Sequence, residues 1–400
     1  MKESNLFLND LNLHLKNHYI LVNNNKQEKS FRNLGIDLLR IYSMVNIIIL
    51  HINSYSKFNL LNISSPKFKS IWLLNALSFW SVDGFGIISG VVGYNKYKFA
   101  NLIYIWIQTT FYSFITSSYF YFKGIKDIKF WLSNLFPIAI YKYWYVNAYF
   151  CMYLFLPLIN NGISLLTKNF FMNLLLFYFL YFIIYNIIVE IFLNNDKYNF
   201  LNKGFSPLWL IILYIFGAYI GKYMIINDDK TKKTNYFLLL IFIYICSAIF
   251  SFISYSFFLK KNYMFKKTLF LSYISPTMII QAICLLLFFS KLTIKNPLLR
   301  KLIIFLTPLT FNVYLLHNRV FDIIFFYDKK FLYNFIITFE SNLLFLKIYF
   351  LSIIIFMKNY KSFDVFFLFN IKYHILILVK LYSSTDKYTF FNYNYIFTLI

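Results

Sequence analysis

From Leu34 onward the chain is a succession of long apolar runs, separated only by short loops of Lys, Asn and Pro. A helix rises about 1.5 Å per residue, so a run of about 20 apolar residues crosses the hydrocarbon of a bilayer. Ten spans are expected, at 34–56, 70–94, 99–122, 143–162, 170–193, 206–226, 235–259, 268–290, 301–326 and 332–357. A weaker stretch at 363–382, interrupted by Lys372, His374 and Lys380, would make an eleventh. The runs are continuous and do not alternate at period two, which selects helices over a β-barrel. The expected fold is all-α, a polytopic transmembrane helical bundle. Its expected organisation is a polar cytoplasmic arm over 1–33, a membrane domain over 34–357 and a divergent tail over 358–400.

Composition agrees with lipid as the solvent. Of 400 residues 60% are hydrophobic and only 14% charged, more apolar side chain than a water-soluble fold of this size can hide. The net charge of +24 does not point to nucleic acid, because the lysines are scattered through the loops rather than gathered into a basic stripe. Beside anionic headgroups they have an ordinary role, and membrane lipid is the expected partner. A slight excess of Lys and Arg on one set of loops favours an N-terminus inside the cell. The three cysteines lie within apolar runs without metal spacing, and the five histidines form no ligand pair at helical spacing. Phosphate-binding and dinucleotide glycine motifs are absent from the sequence, as is a GxSxG nucleophile turn. No metal and no permanently bound cofactor are expected.

Ionisable residues inside a span are costly, so each is a candidate for function. The first span carries Asp37, Arg40 and His51. Eleven residues separate Arg40 from His51, three helical turns plus about 20°, so both share one face about 16 Å apart along the axis. Asp37 lies one turn before Arg40, within pairing reach. Arginine is scarce here, four among 39 basic residues, and its planar fork suits phosphate or carboxylate. The competing reading is an arginine that snorkels to headgroups and pairs with Asp37. His51 likewise reads either as a catalytic base or as a hydrogen-bonded packing residue.

The second span ends in SVDGFGIISGVVGY, where Gly84, Gly86, Gly90 and Gly93 bare the backbone to a neighbouring helix or a thin acyl chain. Asp83 stands beside them as a carboxylate near the lipid boundary. Tyr143, Trp144 and Tyr145 fit either an interfacial aromatic belt or a sugar-stacking surface. His317, Arg319 and Asp322 follow Pro308 and form a polar cluster suited to lining a cavity. Glu190 reads as the end of the fifth span, and Gly217 with Gly221 as a helix-packing GxxxG.

Taken in order, five segments resemble the acyltransferase-3 family of bacterial integral membrane acyltransferases. They are GIDLLR with Arg40 and His51 ten residues between, SVDGFGIISG (81–90), YWYVNAYFCMYLFLPLIN (143–160), SYISPTMIIQAI (272–283) and NVYLLHNRV (312–320). The last two are similar to the branch that modifies polysaccharides and O-antigen. The resemblance runs from about Phe31 to Phe325. It implies O-acyl transfer, usually of acetyl, from cytoplasmic acetyl-CoA to a hydroxyl of a cell-surface glycan or its lipid-linked precursor, in the bacterial inner membrane. It makes His51 the essential histidine and Arg40 its motif partner. Arg40, Asp37, Lys96 and Lys98 then form the acyl-CoA side, and Asp83, Tyr143, Trp144, Tyr145 and His317 the acceptor side. Whether His51 acts as a base or carries the acyl group is left open. Two departures stand out: Lys96 and Lys98 occupy the region where many members carry paired arginines, and the resemblance fades beyond about Glu340. A transporter or flippase for a lipid-linked sugar is the rival class, since it too combines many spans with intramembrane charge.

Overall fold

The computed structural model describes residues 32–55, 64–122, 132, 134–140, 142–188, 201–225, 234–261 and 268–327. The N-terminal arm to residue 31, Glu190, the spans expected at 332–357 and 363–382 and the C-terminal tail lie outside the described residues. Every regular element described is helical: α1 (Leu34–Tyr55), α2 (Pro66–Ala76), α3 (Ser81–Gly93), α4 (Phe99–Phe122), α5 (Trp144–Leu165), α6 (Lys168–Ile188), α7 (Pro207–Tyr219), α8 (Thr234–Lys260), α9 (Pro276–Ser290) and α10 (Pro297–Tyr327). A turn of π-helix, Ile220–Ile225, extends α7.

Four helices begin with proline in their first turn behind a polar residue. Ser65 Oγ accepts from the Phe68 amide at 3.2 Å, and Ser206 Oγ from the Trp209 amide at 3.2 Å. Asn296 Oδ1 accepts from Leu298 and Leu299. Ser275 precedes Pro276 in the same way. Proline at this position lacks only an N–H that would be orphaned in any case, and its fixed φ suits the first turn.

Two expected spans differ in outline. The second is divided by a tight turn at 77–80 into α2 and α3. The stretch 268–290 turns helical only at Pro276, and the eight residues before it are irregular, because Ser275–Pro276 starts the helix and the apolar pattern ignores that signal. Among the described residues six stretches are long and apolar enough to cross a membrane: Leu34–Ser54, Phe68–Gly93, Trp144–Leu165, Pro207–Ile225, Tyr236–Lys260 and Pro297–His317. The 24-residue α4 is not among them, its mean hydropathy being lowered by Thr109, Thr110, Ser113, Thr116, Ser117 and Ser118. Large apolar residues such as Phe111, Leu158, Phe177, Leu180, Phe242 and Phe305 are exposed around the outside of the bundle. With no water to cover them, these surfaces belong against lipid. The protein is a multi-pass membrane protein.

Helix direction alternates. At one end the Tyr214 hydroxyl donates to Asn160 at 2.8 Å, the Lys98 amide donates to the Tyr153 hydroxyl at 3.3 Å, and Lys222 lies over the Tyr94 ring. At the other end Asn53 donates to Asn75, Trp72 stacks on Tyr255 and His51 meets His317. The closest packing is α3 against α7. A methyl group built on Gly90 would overlap the Tyr214 carbonyl, and one on Gly217 the Ile87 carbonyl. The two backbones therefore touch directly, which small residues permit and helix–helix association in lipid rewards. Gly86 receives Leu213 and Gly84 receives Trp80, so the glycine cluster of the second span serves helix packing.

Gly90→Ala and Gly217→Ala should each lower the apparent melting temperature in detergent and reduce membrane abundance. The cost should exceed the ~1–3 kcal/mol of ordinary overpacking, because backbone rather than a side chain must move. Gly162→Ala, with open space around its Cβ, should leave the melting temperature unchanged or slightly raised.

Candidate functional site

The cavity. A cavity of about 710 Å³ runs inside the bundle between α1, α2, α3, α4, α5 and α10. On α1 its wall is formed by Arg40, Ile47, Leu50, His51 and Ser54. At 100° per residue these fall in one sector of the helix, with His51 and Arg40 at one edge and Leu50 at the other. The face shared by Arg40 and His51 in the sequence is thus the face turned to the cavity. Opposite stand Gln108 of α4 and Thr307, Pro308, Phe311 and Tyr314 of α10.

The arginine end. Asp37 is buried and accepts from Arg40 Nη1 at 3.3 Å, while the guanidinium also reaches the cavity wall. A carboxylate beside an arginine lowers the cost of keeping that charge inside the bundle. Ser89 and Tyr149 share this wall. Tyr149 packs on Tyr153, whose hydroxyl accepts from the Lys98 amide and donates to the Lys98 carbonyl at 3.1 Å. Lys96 and Lys98 are exposed in the turn between α3 and α4 and are not part of the wall.

The histidine end. His51 and His317 meet with ring centroids 4.8 Å apart and planes at 60°. His317 Nδ1 lies 2.6 Å from the Tyr314 carbonyl, which can only accept, so Nδ1 carries the proton. His317 is buried behind His51 rather than in the cavity wall. Asn53 Nδ2 donates to Asn75 Oδ1 at 2.8 Å, and Gln108 donates to Asn312 across the cavity from α1.

The aromatic shelf. Trp144 and Tyr145 form wall residues together with Phe79, Phe85, Phe205 and Tyr273. Trp144 lies 4.5 Å from Phe205 and 6.0 Å from Tyr273, centroid to centroid, the latter pair nearly parallel at 22°. Phe205 is brought in by three successive residues with positive φ: Asn202 (47°), Lys203 (53°) and Gly204 (97°). Tyr143 points elsewhere, buried against Val146 and Leu315; it precedes the first helical residue, Trp144, and its backbone is extended. Asp83 is fully buried and does not line the cavity. Its Oδ1 accepts from the Trp209 indole at 3.1 Å, a bond that ties α3 to α7, and its Oδ2 has no hydrogen-bond partner among the described residues.

The geometry thus brings Arg40, His51, Trp144 and Tyr145 to one cavity, sets Asp37 and His317 directly behind it, and leaves Asp83, Tyr143, Lys96 and Lys98 off its wall. Sequence reasoning did not single out Asn75, Gln108, Tyr149, Phe205 or Tyr314. These are uncharged residues in a chain rich in Asn, Tyr and Phe, where no local signal distinguishes a wall residue from a packed one. For Phe205 alone a cue existed, the Asn-Lys-Gly turn ahead of Ser206–Pro207.

The fold is thus a helical membrane bundle enclosing a cavity whose wall includes Arg40 and His51. The acyltransferase domain model of the acyltransferase-3 family matches residues 33–357, and the chain belongs to that family. It is accordingly a membrane acyltransferase rather than a member of the transporter class. No curated protein and no solved structure matches the chain.

Asp83→Asn should keep the melting temperature close to wild type, because the amide oxygen still accepts from Trp209. Asp83→Leu should strand the buried indole N–H and cost about 1–3 kcal/mol, visible as a lower melting temperature in the same detergent.

Proposed function

We propose that this protein is an O-acyltransferase of the bacterial inner membrane. It moves acetyl from cytoplasmic acetyl-CoA to a hydroxyl of a cell-surface glycan or its lipid-linked precursor. The observation that carries this reading is the single cavity reached by both Arg40 and His51, about 16 Å apart along one face of α1. A thioester donor has phosphates at one end and its reactive carbonyl at the other, joined by a long, largely apolar arm. Arg40, oriented by Asp37, suits the phosphate end, and Lys96 and Lys98 add positive charge in the neighbouring turn. The thioester then lies towards His51.

His51 acts as the general base, taking the proton from the acceptor hydroxyl as the oxygen attacks the thioester carbonyl. It passes that proton to the departing sulfur. His317, its ring against the ring of His51 and its own Nδ1 tied to backbone, holds His51 in orientation. The acceptor sugar rests on the shelf of Trp144, Tyr145 and Tyr273, whose faces offer the C–H surfaces of a pyranose a stacking partner.

In cells, His51→Ala should abolish O-acetyl groups on the purified surface glycan as completely as deletion of the protein, with unchanged membrane abundance. Acetylation persisting in His51→Ala would sink the proposed role of His51. Arg40→Ala should raise the KM for acetyl-CoA at least about tenfold in membrane vesicles, and Arg40→Lys should recover only part of it, because lysine lacks the bidentate fork.

A further inference from the structure

Asn75 stands at the last turn of α2, beside the histidine end of the cavity, and its position is over-determined. Its backbone carbonyl accepts from the Ser78 and Phe79 amides at 2.9 Å each, closing the turn into α3. Its side-chain carbonyl accepts from Asn53 Nδ2 at 2.8 Å. Nearby, Ser78 Oγ donates to Asn46 Oδ1 at 2.9 Å, and Asn46 Nδ2 donates to the Tyr42 carbonyl at 2.8 Å. The segment from α2 into the turn is therefore pinned to α1 at two levels.

The bond from Asn53 fixes which way the Asn75 carboxamide points. Its oxygen is engaged with α1, so its NH2 group is left to face the other way. That NH2 has no partner among the described residues, and Asn75 lines the cavity together with His51, Ser54 and Trp72. On the α1 wheel Asn53 lies roughly 160° from His51, on the far side of the cavity sector. Asn75, held by Asn53, therefore borders the cavity from the side opposite His51.

We propose that Asn75 is the oxyanion-stabilising donor of the acyl transfer, a role that rests on the acyltransferase reading given above. In the first step the acceptor oxygen bonds to the thioester carbon and its proton goes to His51. The carbonyl oxygen becomes an oxyanion, which accepts a hydrogen bond from Asn75 Nδ2. In the second step the carbon–sulfur bond breaks, the carbonyl re-forms and His51 returns the proton to sulfur, releasing ester and free thiol. A pre-oriented neutral donor inside the bundle stabilises such charge without reorganising. Asn53 is a positioning residue, since it acts only through Asn75.

The test uses membrane vesicles carrying the full chain and the native acceptor of the cell. Thiol release from acetyl-CoA and O-acetyl content of the glycan are measured together. Asn75→Asp keeps the size and the oxygen that accepts from Asn53 but replaces the donor. The double variant Asn53→Leu with Asn75→Leu removes both partners of the buried pair, which spares the fold an orphaned amide. Both should lose roughly 10²–10³ in kcat with the KM for acetyl-CoA changed less than about threefold, at wild-type melting temperature. Asn53→Leu alone should lose less, because the donor remains but is no longer held. Variants of Asn75 with kcat within about threefold of wild type, while His51→Ala is inactive, would overturn the role. So would a loss expressed only in KM. Wild-type vesicles that release no more thiol than vesicles lacking the protein would instead refute the acyltransferase reading itself, and the Asn75 role with it.

Discussion

Everything in this bundle is arranged around the contact between α3 and α7, where Gly90 and Gly217 bring two backbones together without intervening side chains. In lipid there is little hydrophobic drive between helices, so close van der Waals contact has to supply the association. That contact fixes the height of α3 against α7. It thereby sets Asp83 opposite the Trp209 indole and brings Phe85 and Phe205 to one wall. Beside this pair, α1 and α10 pack on each other and contribute further cavity wall. They meet through the rings of His51 and His317, with Tyr314 beside them.

Some polar groups inside the bundle are matched within the protein and others line the cavity. Asp37 with Arg40, Asp83 with Trp209 and Ser78 with Asn46 are matched across or along helices. Such pairs offset the penalty of burial and hold neighbouring segments in register. Arg40 and Asn75 belong to both groups: each is bonded within the protein and each lines the cavity. A cavity residue anchored by such a bond is pre-oriented, which is what a reactive site requires of its fixed groups.

Membrane residence was written in the length of the apolar runs, and helix boundaries followed wherever a cap and a proline agreed, as at Ser206–Pro207. They failed where the apolar pattern ran across such a signal, as at Ser275–Pro276, and where a turn was too short to interrupt it, as at 77–80. The Arg40–His51 face was legible because both residues sit on one uninterrupted helix, where spacing alone fixes direction. Tyr143, Trp144 and Tyr145 were grouped by adjacency, but the helix starts only at Trp144, and the extended backbone of Tyr143 places its ring away from the cavity.

By itself, then, the sequence determined the solvent of the fold, the helical class, the family and the shared face of Arg40 and His51 on α1, since each depends on composition or on periodicity within one segment. The tertiary structure alone decided which residues face those positions. The approach of His317 to His51 joins residues 266 positions apart, and the shelf of Trp144, Phe205 and Tyr273 comes from three separate stretches of chain. The orientation of the Asn75 amide depends on a partner on another helix. Contacts of that kind are set by how helices cross and at what height. Crossing and height are properties of paired surfaces, which no single stretch of sequence encodes.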